Sequence, residues 1–233
     1  MASIFNKTND NIGWAAFSWN PVTGCRHNCK YCYARDIANR FYPEKFEPTF
    51  RPERLTAPAK TPAPKRNGGN ARNVFVCSMA DLFGTWVPSE WIEKVFAACR
   101  QNPQWNYIFL TKNPKRYIGL DFPATAIVGA TVTHQEMVER TEAAFSQFDA
   151  PAKFVSCEPL LGPVKFTRPE LFDVFIIGAK SRTTGGPEIQ PDLENVSSLI
   201  EQARSTGRGV FIKENIRTHF DVEQAYPANK KRG

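Results

Sequence analysis

Apolar residues along the chain fall into two alternating kinds of segment. Seven short runs are apolar almost throughout and rich in β-branched or aromatic residues: AAFSWN from Ala15, VFVCSM from Val74, YIFLTK from Tyr107, IVGATV from Ile127, KFVSCEP from Lys153, VFIIGA from Val174 and GVFIKE from Gly209. Short runs without a polar face suit strands buried on both sides of a parallel sheet. Between them, apolar positions recur at helical spacing. Ser89 to Arg100 follows Pro88 and gathers Trp91, Val95, Ala98 and Cys99 on one face. His134 to Phe148 does the same with Met137, Val138, Thr141, Ala144 and Phe148. Asp192 to Ser205 aligns Val196, Leu199, Ile200 and Ala203, and Gly207 follows as a stop. Lys30 to Phe41 is predicted helical through Tyr33, Ile37 and Phe41, and Pro114 to Ile118 supplies a shorter turn.

Strands alternating with helices predict repeated βα units, in an open doubly wound sheet or a barrel. Seven units within 233 residues are compact, which favours an α/β partial barrel of mainly parallel strands. No shift in composition divides the chain, so one domain over residues 1–233 is expected. One stretch interrupts the rhythm. Residues 58–73, PAKTPAPKRNGGNARN, hold three prolines, two glycines and four basic residues but no acidic one. They read as a flexible basic surface loop, with a phosphate-contacting arm as the sharper alternative to a plain linker. The terminal NKKRG reads as a basic tail with no assigned role.

Composition narrows the classes. A chain with 42% hydrophobic and 23% charged residues is globular rather than disordered. No apolar run approaches the ~18 residues of a membrane span, so no membrane partner is expected. The opening MASIFNKTNDNIGW is polar and lacks the apolar core of a secretory signal. A cytoplasmic location is therefore expected, where thiols stay reduced and clustered cysteines bind metal more often than they pair. The net charge of +7 permits attraction to phosphate-bearing partners without requiring it.

The chemistry concentrates in TGCRHNCKYCY, where Cys25, Cys29 and Cys32 lie within eight residues at the junction of a strand-like run and a helix. A four-iron, four-sulfur (4Fe-4S) cluster takes one thiolate per iron, so three cysteines leave one iron open to another ligand. Arg26, His27 and Lys30 would offset the cluster's charge. A zinc site needs a fourth donor, which Cys77 or Cys157 could supply only through the fold. A disulfide with a spare thiol, or three unliganded thiols, are the remaining readings.

Cys-x3-Cys-x2-Cys with Tyr31 before the last cysteine resembles the signature of the radical S-adenosylmethionine superfamily. That resemblance implies a partial (β/α)6 barrel with the cysteine loop after its first strand. It also implies S-adenosylmethionine chelated at the open iron, and reductive cleavage to a 5′-deoxyadenosyl radical that takes hydrogen from a substrate. A one-electron reductant of flavodoxin or ferredoxin type would be required. The motifs SWNPVTGC…CYAR, SMADLFG, FLTKNP, SCEPLLGPV and IIGAKS are further similar to the phage Gp37/Gp68-type group, which implies phage encoding and action in a host cytoplasm. In place of the superfamily's Gly-Gly-Glu, the second run ends Ser78-Met79-Ala80-Asp81. By position, Ser78 and Asp81 would seat the cofactor's amino group, and the alternative for Asp81 is a loop cap.

Ligands of βα barrels bind at the carboxyl ends of the strands. Those ends carry Asp81, Thr111 with Lys112, Thr131 and Thr133, Glu158, Lys180 with Ser181 and Arg182, and Lys213 with Glu214. Tyr31, Ser78, Asp81, Thr131 and Thr133 are the candidate cofactor contacts. Lys112, Glu158, Lys180 and Arg182 are the candidate substrate contacts, and Lys112, Lys180 and Lys213 together with Arg182 suggest a cationic rim suited to a nucleotide or nucleic-acid substrate. Cys157, as a hydrogen-donating thiol, and Lys213, unless paired with Glu158 or Glu214, are the candidate catalytic groups. Two other functions fit the same residues: a non-enzymatic zinc or iron–sulfur module binding nucleic acid, and a radical enzyme acting on a protein partner.

Overall fold

The computed structural model describes residues 4–9, 12–65, 68–184 and 186–228. The chain opens with β1 (Asn6–Lys7), β2 (Phe17–Trp19), β3 (Val22–Thr23), α1 (Tyr33–Phe41), β4 (Thr49–Phe50) and α2 (Ala57–Lys60). Then come β5 (Asn73–Val76), α3 (Ser89–Gln101), β6 (Asn106–Thr111), β7 (Ala126–Thr131), α4 (Val138–Phe145) and β8 (Lys153–Cys157). The last elements are β9 (Val174–Ile177), α5 (Leu193–Ser205), β10 (Gly209–Ile212) and α6 (Glu214–Arg217). All seven predicted strands form. They pair parallel in chain order, β2-β5-β6-β7-β8-β9-β10, with β1 antiparallel on β2 at the open edge. The result is a partial barrel of the expected α/β kind.

Strand alternation sorts the core into two layers. Ile108, Ile127, Phe154, Ile176 and Phe211 form the inner layer, closed at the amino end of the strands by Trp14. Tyr107, Phe109, Val128, Val155, Phe175 and Val210 belong to the larger layer shared with the helices. Gly129 belongs to this packing because a Cβ there would lie 2.3 Å from the Phe154 ring. Fully burying each such large apolar side chain contributes about 1.5–3 kcal/mol.

The differences from expectation are local. Helix α1 begins at Tyr33 rather than Lys30, because Cys32 takes an extended N-cap conformation. His134 is also extended, a single 3-10 turn spans Gln135–Met137, and α4 covers only Val138–Phe145 of the expected segment. Pro114–Tyr117 is a 3-10 turn. The basic loop contains α2 at its start and leads into the amino end of β5, where Asn70 donates to the Gly13 carbonyl at 2.6 Å. This places it at the opposite end of the strands from their carboxyl edge. Its residues 66 and 67, and the tail 229–233, lie outside the described residues. Among the described residues, no helix is long and apolar enough to cross a membrane.

Candidate active site

A cavity of about 650 Å³ opens at the carboxyl ends of the strands. Its inner wall follows from the same period of two that builds the core. Counting on from Ile108, Ile127, Phe154, Ile176 and Phe211, the inward positions turn polar at Lys112, Thr131, Ser156, Glu158, Lys180 and Lys213, and all six line the cavity.

The cysteine loop forms the facing wall. It runs from β3, which pairs antiparallel with β4, to α1, and Cys25, Cys29 and Cys32, all half-buried, face the cavity together. Gly24 enters the loop at φ +85°, and a Cβ there would sit 2.1 Å from the Glu47 carbonyl oxygen. The Gly24 amide donates to Met79 O at 2.9 Å and the Cys25 amide to Phe46 O at 3.0 Å, so main chain on both flanks holds the entry. Burial pushes the Cys25 thiol up to about 12, against a backbone hydrogen bond at His27 that favours the thiolate. Burial also raises Cys32, opposed by the Arg35 and Ala34 amides of the first turn of α1.

Asp81 ties this loop to the sheet. Its Oδ2 lies 2.7 Å from His27 Nε2, between the first two cysteines, and accepts from the Lys112 amide at 2.9 Å. Its Oδ1 accepts from the Phe83 amide at 3.0 Å, and the Thr111 hydroxyl lies 2.8 and 3.0 Å from the two oxygens. The His27 ring packs edge-on against Trp86 at 4.8 Å. A carboxylate offers about four lone-pair sites. With those taken by its own chain and only 5% exposure, Asp81 presents no free carboxylate to a cofactor ammonium, although it borders the cavity. The loop-cap alternative describes its bonding.

Other predicted residues divide by position. Tyr31 lies at the cavity with Lys112 Nζ 5.5 Å from its ring centre. Ser78 borders the cavity, and its hydroxyl donates to Asn20 Oδ1 at 3.2 Å. Lys213, 4% exposed, pairs with Glu158 and not with Glu214. Gly178 leaves room for its stem, since a Cβ there would meet Lys213 Cδ at 2.8 Å. Lys180 and Arg182 reach the cavity from the turn after β9. Two residues are not brought there. Thr133 lies past the end of β7, where alternation no longer holds, and its hydroxyl is 2.7 Å from His134 Nδ1. Cys157 has the opposite parity to Ser156, so it belongs to the outer layer, and burial raises its thiol.

Sequence reading passed over several members of the site. Asn20 Oδ1 also accepts from the Met79 amide at 2.9 Å, and Tyr33 donates to Ser78 O at 2.9 Å, so both brace the turn after β5. Cys77 enters that turn at φ +63°, a strained value for a non-glycine residue. Asp36 on α1 accepts from both the amide (2.9 Å) and the hydroxyl of Thr184, which latches the turn after β9 to the helix beyond the cysteines. Asn20 was visible as a polar residue at the end of an apolar run, and Ser156 as one inside a run. Asp36 and Tyr33 carried no such signal.

Three soft sulfur donors on one wall fit an iron–sulfur cluster, which spreads its thiolates over separate irons. Among the described residues, no three His, Cys, Asp or Glu side chains are grouped as ligands of a single metal ion. The fit thus rests on the sulfur chemistry and the shared wall. The cavity lies where a bound cofactor could reach residues from every strand end.

The whole-chain comparisons agree with this architecture. Spore photoproduct lyase complexed with dinucleoside spore photoproduct superimposes with a TM-score of 0.55 at 10% identity, covering 89% of this chain and 78% of that one. A double mutant of that enzyme, with AdoMet and dinucleoside spore photoproduct bound, gives the same values. The fold is thereby shared with spore photoproduct lyase. No curated protein sequence matches the chain. Over residues 9–225 it matches the family described as Protein of unknown function (DUF5131). The match spans nearly the whole barrel and both walls of the cavity, so the chain belongs to the DUF5131 family.

Proposed function

We propose that this protein is a radical S-adenosylmethionine enzyme acting on an anionic substrate, a nucleotide or nucleic acid. The observation that carries the reading is the placement of Cys25, Cys29 and Cys32 on the wall of a strand-end cavity in this fold. Likeness to spore photoproduct lyase, whose solved complexes hold AdoMet and a dinucleoside, supports the same cofactor and substrate class. The motif string from SWNPVTGC to IIGAKS supports a finer kinship with the phage Gp37/Gp68-type group.

Cys25, Cys29 and Cys32 would hold a 4Fe-4S cluster. When bound, the cluster and S-adenosylmethionine supply a 5′-deoxyadenosyl radical for hydrogen abstraction, after one electron from a flavodoxin- or ferredoxin-type donor. The chain's own residues bind and orient. Tyr31 and Thr131 line the same cavity as the cysteines, with Ser78 on the turn that Asn20 and Tyr33 brace. Asp81 acts through His27 as a positioning residue. Glu158 and Lys213 form an ion pair on the opposite wall, facing the space a substrate would occupy. Lys112, Lys180 and Arg182 supply the cationic surface.

Anaerobic reconstitution with iron and sulfide should give a brown protein that, reduced with S-adenosylmethionine, releases 5′-deoxyadenosine. Cys29→Ala should abolish both colour and product. One zinc per chain without sulfide would instead establish the bracing, non-enzymatic module.

A further inference from the structure

The turn that leaves β9 holds two polar groups whose bonding is incomplete. Lys180 is 7% exposed and lines the cavity, yet its ammonium donates only to the neutral carbonyl of Pro187. Among the described residues no carboxylate lies within 4.0 Å of it, whereas Lys213 on the next strand has Glu158. An ammonium removed from water without a counter-charge is costly unless an anion completes it. Three residues on, the Thr183 hydroxyl is buried with no hydrogen-bond partner among the described residues, and Thr183 lines the same cavity. The two are held in one frame, because Lys180 bridges Ile189 and Thr183 bridges Gly186 across the turn. Gly186 adds no side chain over the lysine, since a Cβ there would lie 3.7 Å from Nζ. Arg182, between them, also lines the cavity.

We propose that Lys180, Arg182 and Thr183 form an anion site for a phosphate group of the substrate's nucleotide. A phosphate brings the missing charge to Lys180, an acceptor for the Thr183 hydroxyl, and the planar bidentate partner an arginine favours. The charge balance of the cavity points the same way. Five basic side chains line it (Lys7, Lys112, Lys180, Arg182 and Lys213) against the acids Asp81 and Glu158. On the reading above, on which this inference rests, the negative charge of a three-thiolate cluster and the positive charge of the sulfonium cofactor roughly cancel. The protein's own excess of positive charge is then left for the substrate.

The test compares a fluorescent single-stranded decanucleotide with the same sequence carrying uncharged methylphosphonate linkages. The full-length protein, anaerobically reconstituted and as isolated, should bind the charged strand at least ten-fold more tightly. Lys180→Gln should weaken that binding about ten-fold and reduce the slope of log K against log salt by about 0.7. Thr183→Val should weaken it about three-fold, and Lys165→Gln, on the exposed surface, should leave it unchanged. Melting curves superimposable on wild type confirm that the variants fold. The proposal is overturned if the uncharged strand binds equally, if neither strand binds, or if Lys180→Gln binds as wild type does. It is also overturned if Lys180→Gln loses S-adenosylmethionine rather than oligonucleotide, which would assign the site to the cofactor's carboxylate. Displacement by inorganic phosphate at the oligonucleotide's own concentration would mark a free-anion site and overturn the nucleotide assignment. A wild type that releases no 5′-deoxyadenosine sinks the enzymatic reading while leaving the binding result to stand.

Discussion

At Asp81 a single carboxylate receives donors from His27, Phe83, Thr111 and Lys112, reaching across three separate stretches of chain. An asparagine would keep the shape but turn an NH2 group toward donors, leaving buried partners unsatisfied. Asp81→Asn is expected to cost about 2–3 kcal/mol in urea unfolding and to reduce iron and sulfide retention by more than half. Unchanged retention would remove His27 from the positioning role. None of this was legible beforehand, because His27 and Asp81 are 54 residues apart and each has an ordinary local explanation. The lysines were more legible: Lys112, Lys180 and Lys213 close apolar runs at the same strand parity as the core residues below them. Cys157 shows how the same rule excludes, since one step of parity puts its thiol in the outer layer.

Among the elements, the cysteine loop depends on Gly24, which combines φ +85° with a main-chain approach that leaves no room for a Cβ. Gly24→Ala should cost about 2 kcal/mol or more and abolish cluster uptake, read as iron bound per chain. The turn after β9 depends on its latch to α1. Asp36→Ala should speed hydrogen exchange at the Thr184 amide at least ten-fold while leaving the melting temperature close to wild type, because local opening need not involve the core. The seven parallel strands were readable because each is a continuous apolar run. Strands β1, β3 and β4 are two residues long, too short to show any period, and were found only through their partners. The segment from His134 failed at its start because Thr133 and His134 satisfy each other outside a helix.

For the molecule as a whole, the buried thiols set a pH dependence. Burial pushes Cys77 up to about 12 and raises Cys99 and Cys157 as well. Above the ordinary thiol value near 9, the unfolded chain releases these protons while the folded chain keeps them. Stability is therefore fully present below pH 9 and declines above it, by up to about 1.4 kcal/mol per pH unit for each thiol. The urea midpoint of the metal-free protein should fall steadily between pH 9 and 11, and Cys157→Ser should lessen the slope. A flat profile would contradict the burial of these side chains.

The sheet also has a direction in time. Because its parallel strands pair in chain order, a ribosome delivers each one next to the edge already formed. The cysteines, Asn20, Tyr33, Asp81, Thr111 and Lys112 all belong to Asn20 through Lys112, whereas Ser156, Glu158, Lys180 and Lys213 arrive later. The wall that would receive the proposed cluster can thus assemble while the opposite wall is still being synthesised, and its loading during translation would then precede closure of the cavity.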